Sequence, residues 1–145
     1  MAYRFGLAPV LRVRESIEER DLHLLEQTQH EIAHIIRLLE STRDRELAEL
    51  ATRERELAAG TRGTYLHIVE GVKKRTREAQ RALEQKLADL RVRREQQLAN
   101  YNSSKRKREV LSDLRDRQKE AYELLASRGR QQVADDLFLA QHRRK

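Results

Sequence analysis

No cysteine or tryptophan occurs among the 145 residues, proline occurs once and glycine five times, and four tyrosines and two phenylalanines are the only aromatic side chains. Without cysteine there is no disulfide framework, no thiolate zinc site and no thiol nucleophile, which fits a reducing compartment rather than secretion. Only 38% of the 17.2 kDa chain is hydrophobic, too little for a layered globular core, and this argues against a compact enzyme. The scarcity of glycine and proline removes the turns that a sheet protein needs and favours long helices. The longest apolar run, Leu7-Ala8-Pro9-Val10-Leu11, falls far short of the roughly 20 residues that span a bilayer, so any membrane association is peripheral.

What the chain has in abundance is charge, 38% of its residues, with a formal net of +7. Residues 1 to 60 carry 9 Lys and Arg against 12 Asp and Glu, whereas residues 61 to 145 carry 22 against 12, so the halves differ in sign. Two readings follow: a basic face for nucleic acid or anionic lipid, or two oppositely charged segments lying along each other.

Helix-breaking residues cluster in two places, Gly6 with Pro9 and Gly60-Thr61-Arg62-Gly63. Proline is tolerated in a first helical turn, glycine makes a left-handed cap after Leu57-Ala58-Ala59, and Thr64 could cap the next helix. Gly71 and Gly129 weaken the second helix without stopping it. The pattern predicts one coiled-coil domain over residues 1–145, with a helix over about 7–59, a turn at 60–63 and a helix over about 64–140. The fold class is all-α, a long antiparallel two-helix coiled-coil hairpin whose second helix is the longer.

Apolar spacing supports this. In the first helix Leu22, Leu25, Ile32, Ile36, Leu39, Leu50 and Leu57 fall on one series of threes and fours, interrupted by Gln29, Arg43, Glu46 and Arg53. In the second, Leu66, Val69, Leu83, Leu87, Leu90, Tyr101, Leu111, Tyr122, Leu125 and Leu139 do the same, with polar patches at 73–80 and 94–108. If the glycine turn closes a hairpin, facing residues have numbers summing to about 123. Leu57 with Leu66, Ile36 with Leu87, Leu39 with Leu83, Ile32 with Leu90, Leu25 with Leu98, Leu22 with Tyr101 and Leu11 with Leu111 all satisfy this register. The same alignment sets Lys105-Arg106-Lys107-Arg108 against an acidic stretch around Glu15, Glu18 and Glu19, with Glu18 facing Lys105. It also leaves the second helix unpartnered from about residue 116 on, an overhang carrying Val133, Leu137, Phe138 and Leu139.

His30-Glu31-Ile32-Ala33-His34 matches the zinc-peptidase pattern of two imidazoles one turn apart with a glutamate base. A third ligand is wanting, because Glu54 would lie about 30 Å further along the same helix. No phosphate loop, serine elbow or convergent carboxylate pair appears, so no catalytic residue, metal, cofactor or small-molecule substrate is expected.

Tyr3-Arg4-Phe5-x-Leu7-x-x-Val10-Leu11-x-x-Arg14, Tyr65-Leu66 after the turn, and Glu109-x-Leu111-x-x-Leu114-x-x-Arg117-Gln118-x-x-Ala121-Tyr122 followed by Asp135-Asp136-Leu137 resemble the FliJ family of flagellar type III export proteins. The resemblance covers nearly the whole chain except the middle of the first helix, His30 to Arg45. It implies a coiled coil similar to the central stalk of rotary ATPases, with three partners: a hexameric flagellar export ATPase, an export-gate membrane protein and export chaperones. It also implies a cytoplasmic location, peripheral on the cytoplasmic face of the cell membrane. Phe5, Leu7, Leu11, Leu137 and Leu139 would then contact the ATPase ring, and Tyr65, Val69 and Val72 the export gate. The competing class is a basic helical nucleic-acid-binding module, suggested by the charge of residues 61–145; on the export reading no nucleic acid is a partner.

Overall fold

The computed structural model describes residues 2–60 and 63–144. Two helices hold nearly all of them, α1 (Ala8–Ala58) and α2 (Gly63–Arg143), with no strand among the described residues. The all-helical hairpin, with its longer second helix, is the fold class the spacing predicts.

Each helix end follows from a local cause. At the start of α1 the Ala8 N–H donates to the Phe5 carbonyl at 3.1 Å and the Leu11 N–H to that of Leu7 at 2.9 Å. Pro9 sits inside this first turn, where the proton it lacks would have had no partner. At the other end Gly60 adopts φ 84° and its N–H donates to the Leu57 carbonyl at 3.2 Å, the left-handed stop that glycine enters without a Cβ clash. Thr61 and Arg62, the middle of the expected turn, lie outside the described residues. Thr64 is inside α2 rather than before it, since the helix already begins at Gly63.

The chain divides into two compact units, one of residues 21–100 and one of residues 1–20 with 101–145. In the first, Ile32, Ile35 and Leu39 of α1 form one buried cluster with Leu87 and Leu90 of α2, and half-buried Ile36 and Leu83 pack against it. Closer to the turn on both helices, Arg53 Nη2 meets Glu70 Oε1 at 3.0 Å. Progress along α1 is therefore retreat along α2: the helices of this unit are antiparallel, and the register summing to about 123 holds.

The seam on α1 differs from the expected stripe in every second member. Burial follows Asp21, Leu25, Thr28, Ile32, Ile35 and Leu39, so Asp21, Thr28 and Ile35 take the places given to Leu22, Gln29 and Ile36. Leu50 and Leu57 lie on the exposed side. Leu98 of α2 is exposed as well, and the half-buried seam residue is its neighbour Gln97. Two seams compete because both share Leu25, Ile32 and Leu39, and a count of apolar residues favours the one richer in leucine. Threonine makes the other possible. The Thr28 hydroxyl donates to the Leu24 carbonyl one turn back at 3.2 Å, which satisfies its polar group and leaves its methyl for the seam at 2% exposure. Thr42 and Thr76, at half-buried seam positions, do the same with Leu38 at 2.8 Å and Val72 at 3.0 Å. On α2 the expected series Leu66, Val69, Leu83, Leu87 and Leu90 is the buried or half-buried one, and it continues through Lys73, Thr76, Gln80, Arg94 and Gln97.

In the second unit Leu11 and Ser104 are buried and Tyr101 and Leu111 half-buried. Arg108 grips Glu18 with two hydrogen bonds, Nε to Oε2 at 2.6 Å and Nη2 to Oε1 at 3.1 Å. The acidic stretch does face the basic tetrad, but the partner is Arg108 and not Lys105. Residues 2–7 continue beside α2 without helical structure: the Tyr3 hydroxyl donates to the Arg115 carbonyl at 3.4 Å and to Gln118 Oε1 at 3.2 Å. The Tyr3 ring lies 5.7 Å from that of Tyr122. Cover for α2 therefore extends to Tyr122, six residues beyond the expected start of the overhang at 116.

Candidate partner-binding surfaces

The unit of residues 21–100 holds a groove of about 700 Å³ near the turn end of both helices. Tyr65, Ile68 and Val72 form its α2 wall, Ala48 and Thr52 its α1 wall, and Glu46, Glu49, Arg53, Val69 and Lys73 lie toward the seam. Ala48 and Thr52 leave room on α1 beside the larger Tyr65, Ile68 and Val72 of α2, and Arg45 and Leu50 of α1 with Arg77 of α2 complete the lining. Its three assigned members differ in exposure: Tyr65 and Val72 are exposed, whereas Val69 is a half-buried seam residue engaged in hairpin packing. Ile68, 65% exposed, is a groove member that sequence reasoning passed over because it lies off the seam series. Its signal was spacing: with Tyr65 and Val72 it completes a run of three and four on one helical face.

The Tyr65 hydroxyl is tied to Glu56, and this hydrogen bond, more than burial, raises its pKa above the usual phenol value. The Tyr65 ring is thereby anchored at the mouth of the groove with one edge still open.

The residues assigned to the ATPase ring all belong to the other unit and share no common environment. Leu11 is 4% exposed and belongs to the hairpin interior. Phe5 is half-buried, its carbonyl accepts the Ala8 N–H, and with Tyr3 and Tyr122 it lines a shallow hollow. Leu7 is exposed. Leu137 and Leu139 stand 60% and 55% exposed in a stretch, 127–144, in which every residue is exposed. Being two residues apart, they point to different sides of α2, with Phe138 between them stacked on His142 at 4.3 Å.

Glu18 is held through both of its carboxylate oxygens by Arg108. The Arg108 hydrogen bonds depress its pKa below the ordinary range, partial burial opposes them, and Lys105 adds attraction. Arg108 is shifted upward by the same hydrogen bond. His30 and His34 are exposed on α1, and among the described residues no group of three or more His, Cys, Asp or Glu is placed to hold a metal ion. No helix among the described residues is long and apolar enough to cross a membrane. No protein-family model matches the chain, and neither a curated protein nor a solved structure matches it.

Proposed function

We propose that this chain is a stalk and escort component of flagellar type III protein export. On this reading it works in the cytoplasm, peripherally at the membrane face, couples a hexameric export ATPase to the export gate, and recycles export chaperones. The observation that carries the reading is the groove: Tyr65, Val69 and Val72, which the family resemblance assigns to the gate, line one open, largely apolar hollow. Apolar side chains left uncovered in this way mark a surface that a partner closes. The exposed segment from 127 to 144, with Val133, Leu137, Phe138 and Leu139, is the counterpart for the ATPase, because a lone helix of this composition gains stability from a surrounding surface.

Such a molecule transmits rather than catalyses. A two-helix seam with ionic and threonine layers resists sliding, since a one-residue slip would bring charged positions into the apolar cluster of Ile32, Ile35, Leu39, Leu87 and Leu90. The deciding experiment is a pulldown with the export ATPase, paired with ATPase stimulation by the full chain and by a chain truncated at Ala126. Binding by the full chain, with stimulation lost on truncation while helicity of the remainder is retained, is the expected result. Salt-dependent binding to short DNA or RNA at near-physiological ionic strength, with no ATPase binding, would replace this reading with the nucleic-acid one.

A further inference from the structure

In the unit of residues 21–100, α1 carries exposed histidines at positions 23, 30 and 34. His23 Nε2 sits 3.1 Å from Gln27 Nε2, whereas no hydrogen bond or ion pair among the described residues engages His30 or His34. At 3.6 residues per turn these two straddle, by about 20° on each side, the direction directly opposite Ile32. Ile32 belongs to the buried cluster against α2. Both imidazoles therefore stand on the side of α1 turned away from α2, with their ring nitrogens open to solvent. Histidines four residues apart on one helical face are near enough to hold a single metal ion between them.

What one chain lacks is the rest of a coordination shell. Zinc takes four ligands in a closed site, and among the described residues no third His, Cys, Asp or Glu is placed to join the pair. We propose that His30 and His34 bind zinc together with the same two histidines of a second copy, so that the ion closes an antiparallel dimer around four imidazoles. The surrounding charge fits a second copy in that orientation. A twofold axis through the ion sets a residue lying before Ile32 beside one lying equally far after it on the same flank of the other copy. Glu26 is six positions before Ile32 and Arg37 five after it, and both turn about 40–60° to the same side of the histidine direction. Each Glu26 thus comes within about 2 Å, along the helix axis, of the level of the other copy's Arg37. Both side chains are exposed, and no ion pair among the described residues engages either of them. A parallel pairing would instead set Glu26 against Glu26 and Arg37 against Arg37. Glu31, between the histidines in sequence and exposed, stands at the level of the ion in each copy and offsets part of its charge. The inference is independent of the export reading, since it rests on α1 alone and invokes neither ATPase nor gate.

The test is the mass of the full-length protein, stripped with EDTA and then titrated with zinc chloride, by light scattering on a sizing column. Zinc should double the mass at one ion per two chains, EDTA should reverse this, and magnesium should have no effect. Because the ligating imidazoles must be neutral, the doubling should disappear as pH falls below about 6. His30→Ala and His34→Ala should each abolish it, while His23→Ala and His67→Ala leave it intact. Glu26→Lys should weaken zinc-driven doubling by about tenfold, since two exposed pairs turn repulsive at once, and adding Arg37→Glu should restore it. Circular dichroism of each variant checks that the helices persist. Cobalt in place of zinc gives a second readout: four imidazoles impose a tetrahedral ion with intense visible absorption, and two imidazoles with water leave a weakly absorbing octahedral one. One zinc per chain at unchanged mass, a doubling that survives His30→Ala, or no stoichiometric zinc would overturn the proposal. So would failure of Arg37→Glu to rescue Glu26→Lys, because the antiparallel arrangement requires that pair.

Discussion

The Glu18–Arg108 pair gives the sharpest energetic prediction. Arg108 and Glu18 side chains are 27% and 15% exposed and meet through two hydrogen bonds. The pair therefore lies between a solvated surface bridge and a buried one. Exposed pairs couple by about 0.2–1 kcal/mol, and charge-assisted bidentate geometry strengthens that, so a coupling of about 1–2 kcal/mol is expected. The test is a double-mutant cycle with Glu18→Gln and Arg108→Gln, read by thermal and urea unfolding at 222 nm. A parallel cycle with Lys105→Gln, whose charge only attracts Glu18 from a distance, should give less than about 0.5 kcal/mol. The sign with pH is fixed by the direction of the shift. The folded pKa of Glu18 lies below the ordinary glutamate value because of the Arg108 hydrogen bonds, so its contribution is complete above that ordinary value and is lost as pH falls through the folded pKa. A coupling to Lys105 as large as that to Arg108, or one that survives undiminished after the carboxyl has been protonated, would refute the geometry.

Two further outcomes test the seam. Ile35→Ala should cost about 2–3 kcal/mol and Ile36→Ala about 1 kcal/mol in urea unfolding, because Ile35 is 3% exposed and its neighbour only half-buried; equal costs would restore the alternative stripe. Gln97 Oε1 is buried without a hydrogen-bond partner, so Gln97→Leu should stabilise the protein by about 1–2 kcal/mol, measured as a higher urea midpoint at unchanged slope.

The parts of this fold that were legible in the sequence are those set by backbone chemistry and repetition. Gly60 announces a left-handed stop, Pro9 a helix start, and the apolar series on α2 runs at one spacing from Leu66 to Leu90. The register followed because two periodic stripes joined by a known turn bring their apolar members together, Ile32 and Leu39 with Leu87 and Leu90, in one alignment. The α1 seam was legible only by half. Where two adjacent residues such as Ile35 and Ile36 are both apolar, periodicity admits two series, and the decision passes to features outside a hydropathy count. One is the threonine hydroxyl that bonds to its own helix; another is the demand that α1 and α2 present layers of matching width.

Partner identity along a coiled coil was less legible still, for a reason of length. A register locates Cα atoms to within a residue or so, which is enough to place Glu18 opposite the basic tetrad. An arginine side chain reaches further than the rise of a whole helical turn, so the head group that completes the pair can belong to a residue three positions away, as Arg108 does in place of Lys105. Arginine also wins on geometry, because its planar fork meets both carboxylate oxygens and an ammonium meets one. The same reach explains how Tyr3 extends the cover of α2 to Tyr122. An unwound segment leaves no periodic trace in the sequence, yet it rises about twice as far per residue as a helix, so six residues cover what twelve would in α1. Exposed apolar positions are therefore more informative about partners here than charged ones: a short branched side chain such as Ile68 cannot travel along the helix to find its contact, and the contact has to come to it.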